Sequence, residues 1–299
     1  MREEKDIRDD EIRVIGGSDE PQPTKPNKWV FVALVVAVIC AVVVVWWAVH
    51  SSERPSEETE PAYFEPQDLQ VAANRSDRTH LGREPDSLTR GFCEICDTTI
   101  NDIPLRLFIP HNAEMSLHVG RLNQQDTTIV YAAQAADIRR DNGKIVGAFV
   151  LKGEPLAWGL SKKGFCAAID GKVMVGVADN SPLFEEATER GGYFFRQYPL
   201  VKDGVLVENE PKNKSERRAI CDRQGEIFMV ESLTKESFHD FSQALVDLGV
   251  DQAIYLVGSN AYGWAVDEHG ERHDFGEENY YTGRYRMPAN TNYIVWRRK

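Results

Sequence analysis

Cysteine is scarce, and the few present are not spaced for a metal or redox centre. Five occur; Cys40 falls inside an apolar run, leaving Cys93, Cys96, Cys166 and Cys221. A structural zinc site draws on two closely spaced ligand pairs. Only Cys93 and Cys96 form such a pair, because Cys166 and Cys221 stand apart from each other in sequence. The "CEIC" stretch lacks the strand-then-helix surroundings of a thioredoxin-like motif, which leaves a structural pair or free thiols. An even number of cysteines in an oxidising compartment permits two disulfides. No loop of regularly spaced oxygen ligands of the calcium-binding kind is visible. Neither a metal nor a cofactor is expected.

Positive charge is also in deficit. Lys and Arg number 35 against 47 Asp and Glu, for a formal net charge of −12. Residues 1–60 carry seven basic and twelve acidic side chains, a charge of −5, which leaves −7 for the rest of the chain. Only local patches could offset phosphate repulsion, so nucleic acid is not an expected partner. A sugar, a glycan or a protein suits this surface better.

Long hydrophobic runs are missing except at 29–49, "WVFVALVVAVICAVVVVWWAV". About twenty apolar residues are enough to cross a hydrocarbon layer of roughly 30 Å, so a transmembrane helix is expected there. Trp29 at one end and Trp46 with Trp47 at the other suit the two interfaces. A cleaved signal peptide would be shorter and followed by small residues, and no such pattern follows. Arg13, Lys25 and Lys28 precede the run and only Arg54 closely follows it. That bias predicts a single-pass protein with a cytoplasmic N-terminus and an extracytoplasmic main domain. The expected division is a charged tail at 1–28, the span at 29–49, a flexible linker at 50–90 and a folded domain at 91–299. The linker is rich in Glu, Ser, Pro, Asp and Arg, without apolar periodicity.

Helical periodicity is scarce too. "TKESFHDFSQALVDLG" at 234–249 sets Phe238, Phe241, Leu245 and Leu248 on one face, with Thr234 placed to cap it and Gly249 to end it. "SPLFEEATERGG" at 181–192 reads as a shorter helix behind Ser181 and Pro182. Strand signals are more abundant, including "IPLRLFIP" at 103–110 and "TTIVYAA" at 127–133. Asp170–Gly171, Asp203–Gly204 and Gln224–Gly225 each separate two apolar runs and predict hairpins. The expected fold class is α+β: a mostly antiparallel sheet with packed helices, preceded by one transmembrane helix.

From about residue 132 to 264, the order of elements and several short motifs resemble the phosphodiester glycosidase family. "AADIRRDNGKIVGAFVLKGEPL" occupies the place of that family's Asn-Gly-Gly turn and the strand after it. "RQYPLVKDG" matches its Gln before a Pro and an Asp-Gly hairpin. "RRAICDRQGEIFMV" matches its Arg followed by a strand. "ALVDLGVDQAIYLVGSNAYG" matches its helix, Leu-Gly break and strand ending in an Asp-Gly-Gly turn. Asp137 stands where the Asn-Gly-Gly would begin, Val257 where the family has Asp, and Ser259 where it has the second Gly.

Such an enzyme needs a cation for the phosphate and a carboxylate for the glycosidic carbon. Carried over by position, the resemblance implies Arg218 and Gln197 as substrate ligands and Asp137 as the catalytic carboxylate. Arg139 and Arg140 lie close in sequence to keep Asp137 ionised. Ser259 and Asn260 could bond sugar hydroxyls, while Tyr262 and Trp264 offer flat faces to a pyranose.

Each residue also has a plainer reading. Arg218 could be a surface arginine beside Arg217, Gln197 a strand-edge amide, Asp137 a turn former and Trp264 a core residue. His239 and Asp240 fall in the first turn of a helix, where the macrodipole favours an acid regardless of function. Lys162 and Lys163 form a basic turn that is either an anion contact or a solvated loop. The expectation is a membrane-anchored protein that hydrolyses or binds a sugar-phosphodiester or envelope glycan. The alternative is a catalytically inactive glycan-binding or scaffold module of the same fold.

Overall fold

Two-residue turns with positive φ organise this chain. The computed structural model describes residues 81–82, 89–279 and 286–299. Strands β1 (Phe92–Ile100) and β2 (Ile103–His111) are joined by Asn101 and Asp102, at φ 52° and 62°. Positive φ at both central residues is the backbone of a type I′ hairpin turn, whose twist matches that of its strands. Strands β3 (Ala113–Val119) and β4 (Ile129–Gln134) follow. Then β5 (Ala148–Leu151) and β6 (Glu154–Trp158) turn on Lys152–Gly153. Strands β7 (Gly164–Ile169) and β8 (Lys172–Val177) turn on Asp170–Gly171, as expected.

Helix α1 (Leu183–Glu189) leads into β9 (Tyr193–Gln197), β10 (Pro199–Lys202) and β11 (Val205–Leu206), the last two joined through Asp203–Gly204. Strands β12 (Arg218–Arg223) and β13 (Glu226–Ser232) turn on Gln224–Gly225. Helix α2 (Phe238–Asp247) begins at Ser237, whose hydroxyl accepts from the Asp240 amide, so the cap lies three residues beyond the expected Thr234. Gly249, at φ 89°, follows its end. Strands β14 (Gln252–Leu256), β15 (Gly263–Val266), β16 (Arg272–Phe275) and β17 (Asn292–Arg298) complete the described chain.

The strands form three sheets. Their orders are β1-β2-β13-β12-β14-β10-β11, β16-β15-β4-β17-β3 and β6-β5-β9-β7-β8. All the pairings within them are antiparallel. One apolar cluster takes residues from all three, among them Met229 and Ile254, Tyr131 and Ile294, and Phe149 and Phe195. Strand alternation explains the layering. Along β14, Ile254 and Leu256 face this shared core, whereas Ala253 and Tyr255 face a second cluster under α2 with Phe238, Phe241 and Leu245. Ala187 of α1 joins Ala148, Val150 and Phe194 on the outer face of the third sheet.

The α+β expectation is therefore corrected: the fold is mainly β. The sheets bury their inner faces against one another, and the helices among the described residues are only seven and ten residues long. The sequence reading located both helices but weighed them as a layer, although each covers one outer face.

The single-pass localisation is corrected as well. Among the described residues no helix is long and apolar enough to cross a membrane. The expected tail at 1–28 and span at 29–49 lie outside the described residues, as does most of the expected linker at 50–90. The membrane anchor, cytoplasmic N-terminus and extracytoplasmic domain thus find no support in the structure.

The four cysteines described are free thiols. Cys93 and Cys96 are three residues apart on β1, so they point to opposite faces: Cys93 joins the shared core, and Cys96 packs against the cluster under α2. Burial foremost pushes the Cys93 thiol well above its ordinary pKa, which keeps it protonated and unreactive.

Phe241 is fully buried between α2 and the largest sheet. Phe241→Ala is expected to cost about 3–5 kcal/mol, seen as a lower urea midpoint with an unchanged m-value.

Candidate functional site

Of the residues singled out from the sequence, Asp137, Arg139, Ser259, Asn260 and Tyr262 lie on connections between sheets, while Gln197 ends β9 and Arg218 opens β12. After β4 the chain runs through 135–137, where Asn292 holds it: the Ala136 amide donates to Asn292 Oδ1 at 2.7 Å, and Asn292 Nδ2 donates to the Ala136 carbonyl at 3.1 Å. Asn292 is fully buried at the start of β17. It was not foreseen from the sequence, where an Asn opening an apolar strand was the sole trace of it.

Asp137 follows directly, and its carbonyl accepts from the Val146 amide at 2.8 Å, closing a small hairpin. The Asp137 side chain is 34% exposed, and its Oδ2 lies 3.6 Å from Nζ of the buried Lys162. That ammonium sits over the Tyr198 ring, 2.8 Å from its centre. Arg139, the neighbour expected to hold Asp137 ionised, lies in the same small hairpin and pairs with Asp141 at 2.9 Å. Arg139 is thus engaged by Asp141, and the cation that faces Asp137 is a lysine from the β6–β7 connection. Lys163, next to it, pairs with Asp179 at 2.8 Å in the open.

Gln197, at the end of β9, is buried. Its Nε2 donates to the Ala135 carbonyl at 3.4 Å, and its Oε1 accepts from the Tyr198 amide at 3.0 Å. The end of β14 reaches the same neighbourhood, because the Val257 amide donates to the Gln134 carbonyl at 3.1 Å and the Tyr255 amide to the Tyr198 carbonyl at 2.9 Å. A Cβ on Gly164 would lie 2.7 Å from the Gln197 carbonyl oxygen and from Ile254, so the approach of β7 to these strands requires glycine. Asp137, Lys162, Gln197, Tyr198 and Val257, drawn from all three sheets, are thus neighbours.

Arg218 is placed differently from a surface ligand. It is 0% exposed, and its Nη2 contacts Glu231 Oε1 at 2.5 Å. Its Nη1 donates to the Val257 carbonyl at 2.9 Å and to the Ala261 carbonyl at 3.3 Å. The guanidinium also lies 4.2 Å from the centre of the Phe275 ring. Arg217 is buried on the opposite face, over Phe238. A phosphate could reach Arg218 only by displacing the turn that covers it.

That turn, 257–261, is pinned from several sides. A Cβ on Gly258 would meet the Glu216 carbonyl oxygen at 2.4 Å, and Ser259, at φ 53°, donates its amide to that same oxygen at 2.8 Å. Asn260 Nδ2 donates to Glu277 at 2.6 Å. The Tyr262 hydroxyl donates to Asp274 at 2.6 Å and accepts from Arg272 at 2.5 Å. Burial first, then the bond to Asp274, pushes that phenol well above its ordinary pKa, so it stays protonated. Trp264 is a core residue, covered by the Arg272 guanidinium at 4.3 Å. Ser259, Asn260 and Tyr262 are therefore drawn toward Glu216, Glu277 and Asp274. His239 pairs with Glu208 at 2.6 Å in the open, and Asp240 joins the Ser237 cap, which accounts for both without a ligand.

The fold has a counterpart among solved structures. It is similar to the zebrafish N-acetylglucosamine-1-phosphodiester alpha-N-acetylglucosaminidase catalytic domain auto-inhibited by its pro-peptide, with a TM-score of 0.52 and 11% identity. That match covers 73% of this chain and 85% of the other. The likeness is one of fold. A hypothetical protein from Synechocystis matches at a TM-score of 0.45 and 12% identity, covering 70% of this chain and 62% of that one. No family model matches the sequence, and no curated protein matches it. The distant structural relationship agrees with the resemblance read from the motifs, at the level of architecture.

Arg218→Ala would leave Glu231 as a buried, unpaired carboxylate, and breaking such a pair typically costs about 3–5 kcal/mol. The expected outcome is a large fall in the denaturation midpoint for Arg218→Ala and almost none for Arg139→Ala, both measured by chemical unfolding.

Proposed function

We propose that this chain is a phosphodiester glycosidase-like protein that engages a sugar-phosphodiester or glycan beside Asp137 and Lys162. The observation that supports this reading best is the pairing of a partly exposed carboxylate with a buried ammonium at 3.6 Å, where strands of three sheets meet. A phosphodiester needs a cation to receive its charge, and a lysine ammonium receives it as a point charge. A glycosidic carbon needs a carboxylate, as nucleophile or as the base that activates water. Phosphate departs without strong protonation, so one carboxylate can serve where ordinary glycosides require two. On this reading Asp137 attacks or activates water, Lys162 holds the phosphate, and Gln197 fixes the 135–137 segment. Arg218 acts at one remove by holding the turn after β14, in which Ser259 and Asn260 lie and which Tyr262 follows.

Binding without hydrolysis is the second reading, and one observation favours it. Val257 brings no carboxylate to the end of β14, while the nearest guanidinium, that of Arg218, is already engaged by Glu231.

Incubating the full chain with a panel of sugar-1-phosphodiesters and measuring released sugar tests both. Turnover is expected to fall by about 10²-fold or more in Asp137→Asn. Lys162→Met should act mainly on KM. Binding of the diesters with no release from any of them decides for the second reading; neither binding nor release removes both.

A further inference from the structure

On the outer face of the third sheet, a cleft of about 650 Å3 opens between β6 and the start of α1, lined by residues including Trp158, Leu160, Asn180, Phe184, Glu185 and Arg196. Strand β6 is an edge strand, and Trp158 pairs in register with Ala148. The indole therefore stands on the face that α1 covers, just beyond the end of that cover. Trp158 is 66% exposed and Leu160 65% exposed. One exposed apolar side chain is ordinary, but two large ones flanking a concavity with polar walls are the composition of a ligand site, and the volume lies in the range of about 300–1,000 Å3 typical of such sites.

The polar wall includes a buried charge. Arg196 lines the cleft yet is only 2% exposed. Its terminal nitrogens donate to the carbonyls of Lys162 at 2.7 Å, Ala178 at 3.0 Å and Asp179 at 2.9 Å. Its Nε finds no hydrogen-bond partner among the described residues. That atom is itself closed off from solvent, so Arg196 brings the cleft a fixed positive charge in its wall rather than an open donor.

We propose that this cleft is a pyranose-binding subsite, with Trp158 as the stacking platform. The apolar C–H face of a sugar ring fits a flat, exposed indole. The Glu185 carboxylate accepts from ring hydroxyls, and the Asn180 amide both donates and accepts. This mixture suits an uncharged ring carrying many hydroxyls better than a phosphate, which Glu185 would repel. Arg196 holds the carbonyl of Lys162, whose ammonium faces Asp137, so the subsite adjoins the site proposed above. Placing both on one substrate rests on that earlier reading; binding of the sugar ring in the cleft does not.

Titration of the full chain with hexoses, N-acetylhexosamines and their β- and α-linked disaccharides, followed by calorimetry and by tryptophan fluorescence, tests the subsite. At least one of these sugars is expected to bind and to perturb the fluorescence. Trp158→Ala should weaken that sugar at least tenfold, and Trp158→Phe should keep part of the affinity. Circular dichroism and the unfolding midpoint of the two Trp158 variants separate lost stacking from lost folding. Absence of binding by every sugar overturns the proposal. So does unchanged affinity in Trp158→Ala, or saturation of the cleft by an extended peptide adding to β6 with no sugar competing. Sugar binding through Trp158 with no phosphodiester cleavage would leave the subsite standing and remove only the hydrolytic reading.

Discussion

The buried pair of Arg218 and Glu231 is the constraint on which the region after β14 depends. A guanidinium with no solvent contact must find its compensation inside the protein. It finds a carboxylate directly across the β12–β13 ladder, where Arg218 and Glu231 are paired in register, and two carbonyls of the 257–261 turn. The turn has to curl back over the strand to offer those carbonyls. That curl brings Gly258 so close to Glu216 that a side chain has no room, and it holds Ser259 at positive φ. It also fixes Val257, whose amide reaches the strand leading to Asp137. One charge placed on the inner face of a sheet thus sets the backbone of a connection some forty residues later.

Much of the fold was legible because it is written in local rules. Asp-Gly and Gln-Gly turns marked three hairpins at the correct residues, since few residue pairs tolerate two successive positive φ values. The Asn101–Asp102 and Lys152–Gly153 turns use the same backbone, and neither was singled out beforehand. The face carrying Phe238, Phe241 and Leu245 could be read from its spacing, but the start of α2 could not, because Thr234 and Ser237 can each cap a helix, and it is Ser237 whose hydroxyl accepts from the Asp240 amide. What composition could not convey was that sheets would cover sheets. Alternation along β14 reveals two buried faces, yet it does not say whether a helix or another sheet lies on each.

The site was less legible, for a different reason. "RR" at 217–218 reads as a solvated pair, because charged residues are seldom fully buried. Alternation sends one arginine into the shared core and the other under α2, and each is rescued by partners from distant segments: Glu231 for Arg218, and Glu236 and Asn213 carbonyls for Arg217. Sequence proximity favours Arg139 as the ionic partner of Asp137, whereas the structure puts a lysine 25 positions away beside it and pairs Arg139 with Asp141. Asn292, which holds the chain just before Asp137, had no motif at all. Partners of this kind are tertiary facts, visible only once the three sheets are assembled.

Fold likeness at 11% identity fixes an architecture and leaves the chemistry to the residues in place. Those residues limit what the site can do. Lys162 is a single ammonium, and Asp137 already occupies it at 3.6 Å. A phosphate arriving there competes with the carboxylate for one cation, since Arg218 is committed to Glu231 and Arg139 to Asp141. On the reading proposed above, binding of the anion would release Asp137 from its ion pair as a glycosidic carbon is brought close, converting a paired carboxylate into a free one. An uncharged glycan makes no such demand and would leave the pair intact. On the same proposed reading, the charge of the ligand, more than its sugar, would separate reaction from binding alone.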